Sequence, residues 1–329
     1  MTERIITYAE AVREAIGQAM EADSNVFMLG EDIGVYGGAF GVSGDLYHRF
    51  GEERVRDTPI SELGIVGAAV GAALVGMKPI VEIQFSDFTA QAMDQIVNQA
   101  AKIHFMLGGE LSVPMVLRAP SGSGTGAAAQ HSQSLEAWFA HVPGLKVVLP
   151  SSPADAKGLL LSALDDPNPV VVLEHKLLYK TSGHVPEEMY KTPIGVSNVV
   201  REGKDLTIVA TGVMVSRSVE AASQLASQGI EATVIDVRTL SPLDMGPINE
   251  SVAQTGRLML VQEAPKHVGF MAEVAARVSE GPAIYSLTEP VTRLCGMDVP
   301  IPYAPQLEKS VVPQLDDIVS GAQSLMRGV

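Results

Sequence analysis

TPISELGIVGAAVGAALVGMKPIVEIQF, residues 58–85, joins a helix of small residues to an apolar strand, and the same alternation runs through the whole chain. The helical part, 64–75, is made largely of glycine, alanine and valine, side chains small enough for a helix to lie close against a sheet. The strand, 80–85, is rich in apolar residues, with Glu82 and Gln84 between them, and reads as one strand of a largely buried sheet. Further strands are expected at 26–29, 115–117, 146–149 and 170–173, with helices at 8–22, 90–107 and 153–163. Near-continuous apolar strands interleaved with helices indicate an α/β fold with a parallel sheet. Gly108 and Gly109 fit the C-cap of the helix over 90–107. The periodicity fades over 181–200, where two prolines and two glycines read as a linker. A second α/β pattern follows, with strands at 206–210, 232–237 and 258–261 and helices at 216–228 and 269–278. The expected organisation is therefore a domain over 1–180, a linker over 181–200 and a second domain over 201–329. A chain of 329 residues is long enough for two cores.

Composition excludes several functions. The chain carries 38 acidic and 23 basic residues, a net charge of −15, so it has no basic surface for nucleic acid. The single cysteine, Cys295, cannot form an intramolecular disulfide and fits a reducing, cytoplasmic setting. The N-terminal stretch is charged throughout, unlike a signal peptide. The uncharged run 63–77 is shorter and richer in glycine than the ~20 apolar residues of a membrane span. No G-x-S-x-G elbow occurs, and the histidines show no zinc-ligand spacing. Glu263 and His267 lie four residues apart, but Pro265 between them breaks any shared helical face, and the pair carries no chemistry by this reading.

Glu62 is the only charged residue between Asp57 and Lys78. An isolated carboxylate is costly to bury without a partner or a task, and burial lets it hold a proton near neutral pH. Two readings stand side by side. Ser61 or Glu62 caps a helix N-terminus, where negative charge is favoured, or Glu62 is a catalytic acid that shares a proton with a bound base. A second notable stretch is SGSGTGAAAQHSQ, 121–133. Its glycines can present backbone N–H groups to an anion, but the lysine of a P-loop is missing, and a plain surface loop fits as well. His131 on that loop is either structural or a proton donor.

Several blocks taken together resemble one family: GEDIGVYGGAFG (30–41), DTPISELGIVGAAVGAA (57–73), EIQFSDF (82–88), MDQIVNQAAK (93–102), AAAQHSQ (127–133), PGLKVVLPSSPADAKGLL (143–160) and DVRTLSPLD (236–244). In this order they are similar to the beta subunits of the decarboxylating first component of 2-oxo acid dehydrogenase complexes, the group that handles pyruvate, branched-chain 2-oxo acids and acetoin. The resemblance implies a transketolase-like architecture, with a thiamine-pyrimidine-binding domain followed by a C-terminal α/β domain. It also implies an alpha subunit as partner in an α2β2 heterotetramer, with thiamine diphosphate between the two. Alpha subunits of the family hold the diphosphate and its magnesium through a G-D-G motif, and no Gly-Asp-Gly triplet occurs here. The chain is then expected to supply the pyrimidine half of the site and to be inactive alone.

By the same resemblance, Glu62 meets a ring nitrogen of the aminopyrimidine and shares a proton with it, favouring the tautomer that deprotonates the thiazolium carbon. Phe88 matches the aromatic residue that stacks on the pyrimidine. Ile60, through its backbone, and Gln84 match further pyrimidine contacts. His131 matches the histidine at the active-site entrance that assists acyl transfer to the lipoyl group of the acyltransferase component. Met115, Ala163, Leu164, Asp166 and Asn168 match a potassium site made mainly of backbone oxygens, the ligands that hard cations take. A plain loop in LDDPNPV (164–170) fits those residues as well.

The resemblance leaves the substrate open. Gly41 stands where pyruvate and branched-chain members carry arginine, which favours acetoin, as does EHKLLY (174–179). The absence of an insertion after GED, and EIQFSDF, favour the 2-oxo acids. A non-catalytic scaffold of the same fold is the remaining reading, against which Glu62 and His131 both stand.

Overall fold

The computed structural model describes residues 4–328. The chain divides into two compact units. The first comprises Met1–Ser121 with Trp138–Ile194, and the second Gly122–Ala137 with Gly195–Val329.

The first unit opens with a short antiparallel pair, β1 (Ile5–Thr7) with β8 (Ser182–His184). Between them in sequence lie β2 (Val26–Gly30), β3 (Val55–Asp57), β4 (Lys78–Glu82), β5 (Val116–Ser121), β6 (Lys146–Val148) and β7 (Val170–His175). They form a parallel sheet in the order β6-β7-β5-β4-β2-β3. Strands β2, β5 and β7 are buried along their whole length, as expected of a sheet covered on both faces. The helix Tyr8–Ala22 occupies the span read from its spacing. Thr7 and Glu10 close a reciprocal capping box at its start. It packs along the helix Pro153–Asp165, which begins at the Ser152 cap with proline in its first turn.

Two features differ from expectation. The helix expected over 90–107 is interrupted: an α-helical turn Thr89–Asp94 passes into a π-helical segment Gln95–Ala100, and a separate turn follows at Ile103–Met106. No proline or glycine marks the change, so the local sequence carries no breaker signal. Strand β3 was not expected, because in VRD only Val55 is buried and no run of apolar residues announces it.

The second unit holds β9 (Asn198–Arg201), β10 (Leu206–Ala210), β11 (Ala232–Asp236), the short strand β12 (Thr239–Ser241), β13 (Leu258–Pro265) and β14 (Thr292–Gly296). Its sheet runs β14-β13-β10-β11-β9, parallel except for the antiparallel edge strand β9. Helices Val213–Ala226, Gly246–Thr255, Phe270–Glu280, Pro305–Ser310 and Leu315–Arg327 complete the unit. The reading of the sequence put 122–137 in the first domain. The structure groups that segment with the second unit, because its backbone N–H groups bond to Glu263 and Glu308. Among the described residues no helix is long and apolar enough to cross a membrane.

Candidate active site

In a parallel sheet, ligands bind beyond the carboxyl ends of the strands, where the loops converge. In the first unit those ends are Gly30, Asp57 and Glu82, in register on adjacent strands. Three loops leave them, carrying Glu31 and Asp32, Ile60 to Glu62, and Gln84 to Phe88. Gly30 permits the convergence, since a Cβ there would sit 2.6 Å from the Glu82 carbonyl oxygen.

Glu62 is the first residue of the helix Glu62–Leu74, with its side chain 7% exposed. Ser61 stands at the cap position but makes no side-chain cap bond, so the carboxylate of Glu62 answers the helix dipole directly. Ile60 beside it is 82% exposed, and Leu63 also faces outward. A buried acid thus sits beneath an open apolar rim. Gln84 donates from Nε2 to Asp32 at 3.2 Å and ties the first loop to the third. Phe88 is half-buried, with its ring edge-on to Phe85 at 5.6 Å. Phe85 meets Phe40 edge-on at 5.6 Å, and Phe40 stacks on Tyr179 at 5.4 Å. This aromatic chain anchors Phe88 to the body of the unit and fixes the glycine-rich loop that carries Phe40.

Glu31 was missed in the sequence. It is buried, and its Oε1 has no hydrogen-bond partner among the described residues. Burial raises its pKa, the Glu62 charge adds to the rise, and a bond from the Ser61 backbone N–H works against it. The available signal was its place directly after the apolar run VFMLG, where a strand must end. Beneath the loops, the fully buried Arg118 binds both carboxylate oxygens of Glu174, at 2.8 and 2.6 Å, and one of Glu82 at 2.5 Å. Tyr179 donates to Glu174 at 2.8 Å. Burial alone would lower the Arg118 pKa, but the two carboxylates raise it well above its ordinary value. Burial pushes Glu82 upward, which the Arg118 charge partly offsets. This ion cluster locks the ends of β4, β5 and β7 together under the site.

An orphaned buried carboxylate oxygen, a second buried carboxylate at a helix N-terminus and a half-buried aromatic ring fit a flat, hydrogen-bonding base such as an aminopyrimidine. Ile60, Glu62, Gln84 and Phe88 all lie at this edge of the sheet.

His131 belongs to the second unit, on the glycine loop. The anion-binding reading of that loop meets a specific answer: its N–H groups are taken by the protein's own carboxylates. Glu308 Oε1 accepts from Gly124 at 2.7 Å, and Oε2 from Gly126 at 3.1 Å. Glu263 Oε1 accepts from Ser123 at 2.6 Å and from the Ser134 hydroxyl at 3.3 Å. Glu263, to which the sequence assigned no role, is therefore a ligand of the loop. Glu308 carried no sequence signal, since the loop it binds lies 182 to 184 residues away.

Met115, Ala163, Leu164, Asp166 and Asn168 gather around one turn of the first unit. Val113 donates to the Pro167 carbonyl, Val170 to that of Met115, and Asp166 to that of Ala163. Each of these carbonyls keeps a second lone pair. The Asp166 carboxylate accepts from Asn168 N–H at 3.0 Å and is paired with Lys146. Among the described residues no three His, Cys, Asp or Glu side chains are grouped to hold a metal ion, so a cation at this turn would depend on carbonyl oxygens.

The transketolase pyrimidine-binding domain matches residues 4–182, and the transketolase C-terminal domain matches residues 195–318. The acetoin:2,6-dichlorophenolindophenol oxidoreductase subunit beta of Cupriavidus necator is 47% identical over 328 residues, covering 97% of this chain and 96% of that one. The 2-oxoisovalerate dehydrogenase subunit beta of Bacillus subtilis is 46% identical over 323 residues, covering 98% of each. The mitochondrial pyruvate dehydrogenase E1 component subunit beta of Bos taurus is 46% identical over 318 residues, covering 95% of this chain and 89% of that one. A solved structure described as a split gene transketolase, inactive beta4 tetramer, superimposes with a TM-score of 0.81 at 23% identity, covering 98% of this chain and 99% of that one, and shows the shared fold. This chain belongs to the transketolase-like family of dehydrogenase beta subunits.

Proposed function

We propose that this chain is the beta subunit of a thiamine diphosphate-dependent 2-oxo acid dehydrogenase, working with an alpha subunit that holds the diphosphate and its magnesium. The observation that carries the reading is the buried Glu62 carboxylate at a helix N-terminus, at the carboxyl edge of the sheet of a pyrimidine-binding domain. The chemistry the cofactor would supply, when held between this chain and the alpha subunit, is a carbon nucleophile and electron sink for decarboxylation of a 2-oxo acid. Glu62, buried at the helix N-terminus, would hydrogen-bond the pyrimidine ring nitrogen and share a proton with it. Ile60, through its backbone, and Gln84 fix the ring in its plane, and Phe88 stacks on its face. His131 assists transfer of the acyl group to the lipoyl-lysine of the acyltransferase component. The backbone carbonyls around Met115, Ala163, Leu164, Asp166 and Asn168 would hold a potassium ion, which would brace the turn between the helix Pro153–Asp165 and β7. The single cysteine fits a cytoplasmic setting.

Acetoin is the second substrate reading, supported by the Cupriavidus relative and by Gly41. The relatives that act on pyruvate, 2-oxoisovalerate and acetoin stand at 46–47% identity, so identity does not choose among them. The test is to purify the chain with its partner and assay pyruvate, branched-chain 2-oxo acids and acetoin in turn. Turnover of one class is expected, with its loss in Glu62→Gln while assembly stays intact. Full activity in Glu62→Gln would refute the reading.

A further inference from the structure

The loop 122–134 has the composition of a flexible tether, yet the second unit grips it at both ends. Gly122 donates to the Gln133 carbonyl at 3.1 Å and closes the base. Above that base, Glu263 takes the Ser123 N–H and the Ser134 hydroxyl, and Glu308 takes the Gly124 and Gly126 N–H groups. Gly124 and Gly126 adopt φ of +96° and +67°, the left-handed region that aims consecutive N–H groups at one acceptor. Both carboxylates are buried, Glu308 to 3% exposure. Bonds from N–H to a charged acceptor are about twice as strong as neutral ones. Five residues beyond Gly126 the loop presents His131, whose own N–H reaches back to the Ala128 carbonyl at 3.4 Å. Ala128 holds a φ of +63° there, a strained conformation for a residue with a Cβ that persists only when its surroundings fix it.

We propose that Glu308 and Glu263 are positioning residues: by clamping the N–H groups of the glycine loop they set where His131 stands, and so govern acyl transfer while leaving decarboxylation alone. A side chain that must meet an incoming group loses rate steeply when its backbone wanders by an ångström. The bonds from Gly124 and Gly126 tie Glu308 to the glycine loop, so its loss is expected to act through that loop and to spare the first chemical step. The inference rests on the role of His131 proposed above.

The test uses the enzyme assembled with its alpha subunit and compares two acceptors: a lipoyl acceptor, which requires acyl transfer, and a dye such as 2,6-dichlorophenolindophenol, which does not. Glu308→Ala is expected to lower turnover with the lipoyl acceptor by roughly 10- to 100-fold and to leave dye-linked turnover within about twofold. Glu308→Gln, which keeps one acceptor oxygen, is expected to fall between Glu308→Ala and the unmodified enzyme. Equal losses with both acceptors, or no loss with either in an assembled variant, would overturn the proposal. His131→Ala is run alongside. If it leaves lipoyl transfer intact, the reading of His131 fails, and the clamp is judged on amide exchange of the loop. Faster exchange over 122–131 in Glu308→Ala upholds the clamp, and unchanged exchange refutes it.

Discussion

Glu136 lies buried in the second unit beside Glu263. Burial pushes its carboxyl up from 4.5 to about 7, a hydrogen bond with its own backbone opposes the rise, and the Glu263 charge adds to it. The folded chain therefore binds this proton more tightly than the unfolded chain does. Its contribution to stability is complete below about pH 4.5 and is lost as pH rises through about 7. The span is worth about 3 kcal/mol at most, at 1.36 kcal/mol for each pKa unit. Glu136→Gln mimics the protonated acid at every pH. The variant is expected to match the unmodified protein in urea midpoint at pH 5 and to exceed it at pH 8. Parallel pH profiles for the two would contradict the assignment.

At the scale of elements, the ends of β4, β5 and β7 are tied by Arg118, Glu82 and Glu174. Removing the guanidinium strands two carboxylates in the core, so Arg118→Met is expected to lower stability by about 3–5 kcal/mol. Replacing all three residues with apolar side chains of similar volume should recover most of that loss. Urea unfolding of both variants checks the pair, and an Arg118→Met variant as stable as the unmodified protein would show that the cluster does not act as described. The helix at 8–22 and the apolar strands could be read from the sequence because their signals are local: a cap, a 3.6-residue period, a buried run. The break in the helix over 90–107 could not, since a π-helical turn needs neither proline nor glycine. The helix Leu315–Arg327 lay within reach, with Ile318, Ala322 and Leu325 at helical spacing and buried. Strand β14 is only half-buried, which weakens its pattern. Glu62, which the structure buries at a helix N-terminus, was legible as a candidate acid because it stands alone in an uncharged run. Glu308 was not, because the loop it serves is distant in sequence.

At the scale of the whole molecule, this chain is proposed to be half of a catalyst. Alone it is expected to show no decarboxylation of pyruvate, branched-chain 2-oxo acids or acetoin with thiamine diphosphate and magnesium supplied. Mixing with an alpha subunit that carries the diphosphate motif should restore it. Activity of the isolated chain would place the diphosphate site within it. The most direct test of the central claim, that Glu62 governs the proton at the pyrimidine, is deuterium exchange of the cofactor's thiazolium C–H in the assembled enzyme, followed by NMR after rapid quenching. Exchange in Glu62→Gln is expected to slow by at least roughly 100-fold, the scale of lost general acid–base catalysis, with cofactor still bound. Exchange at the unmodified rate in a cofactor-loaded Glu62→Gln enzyme would contradict the account.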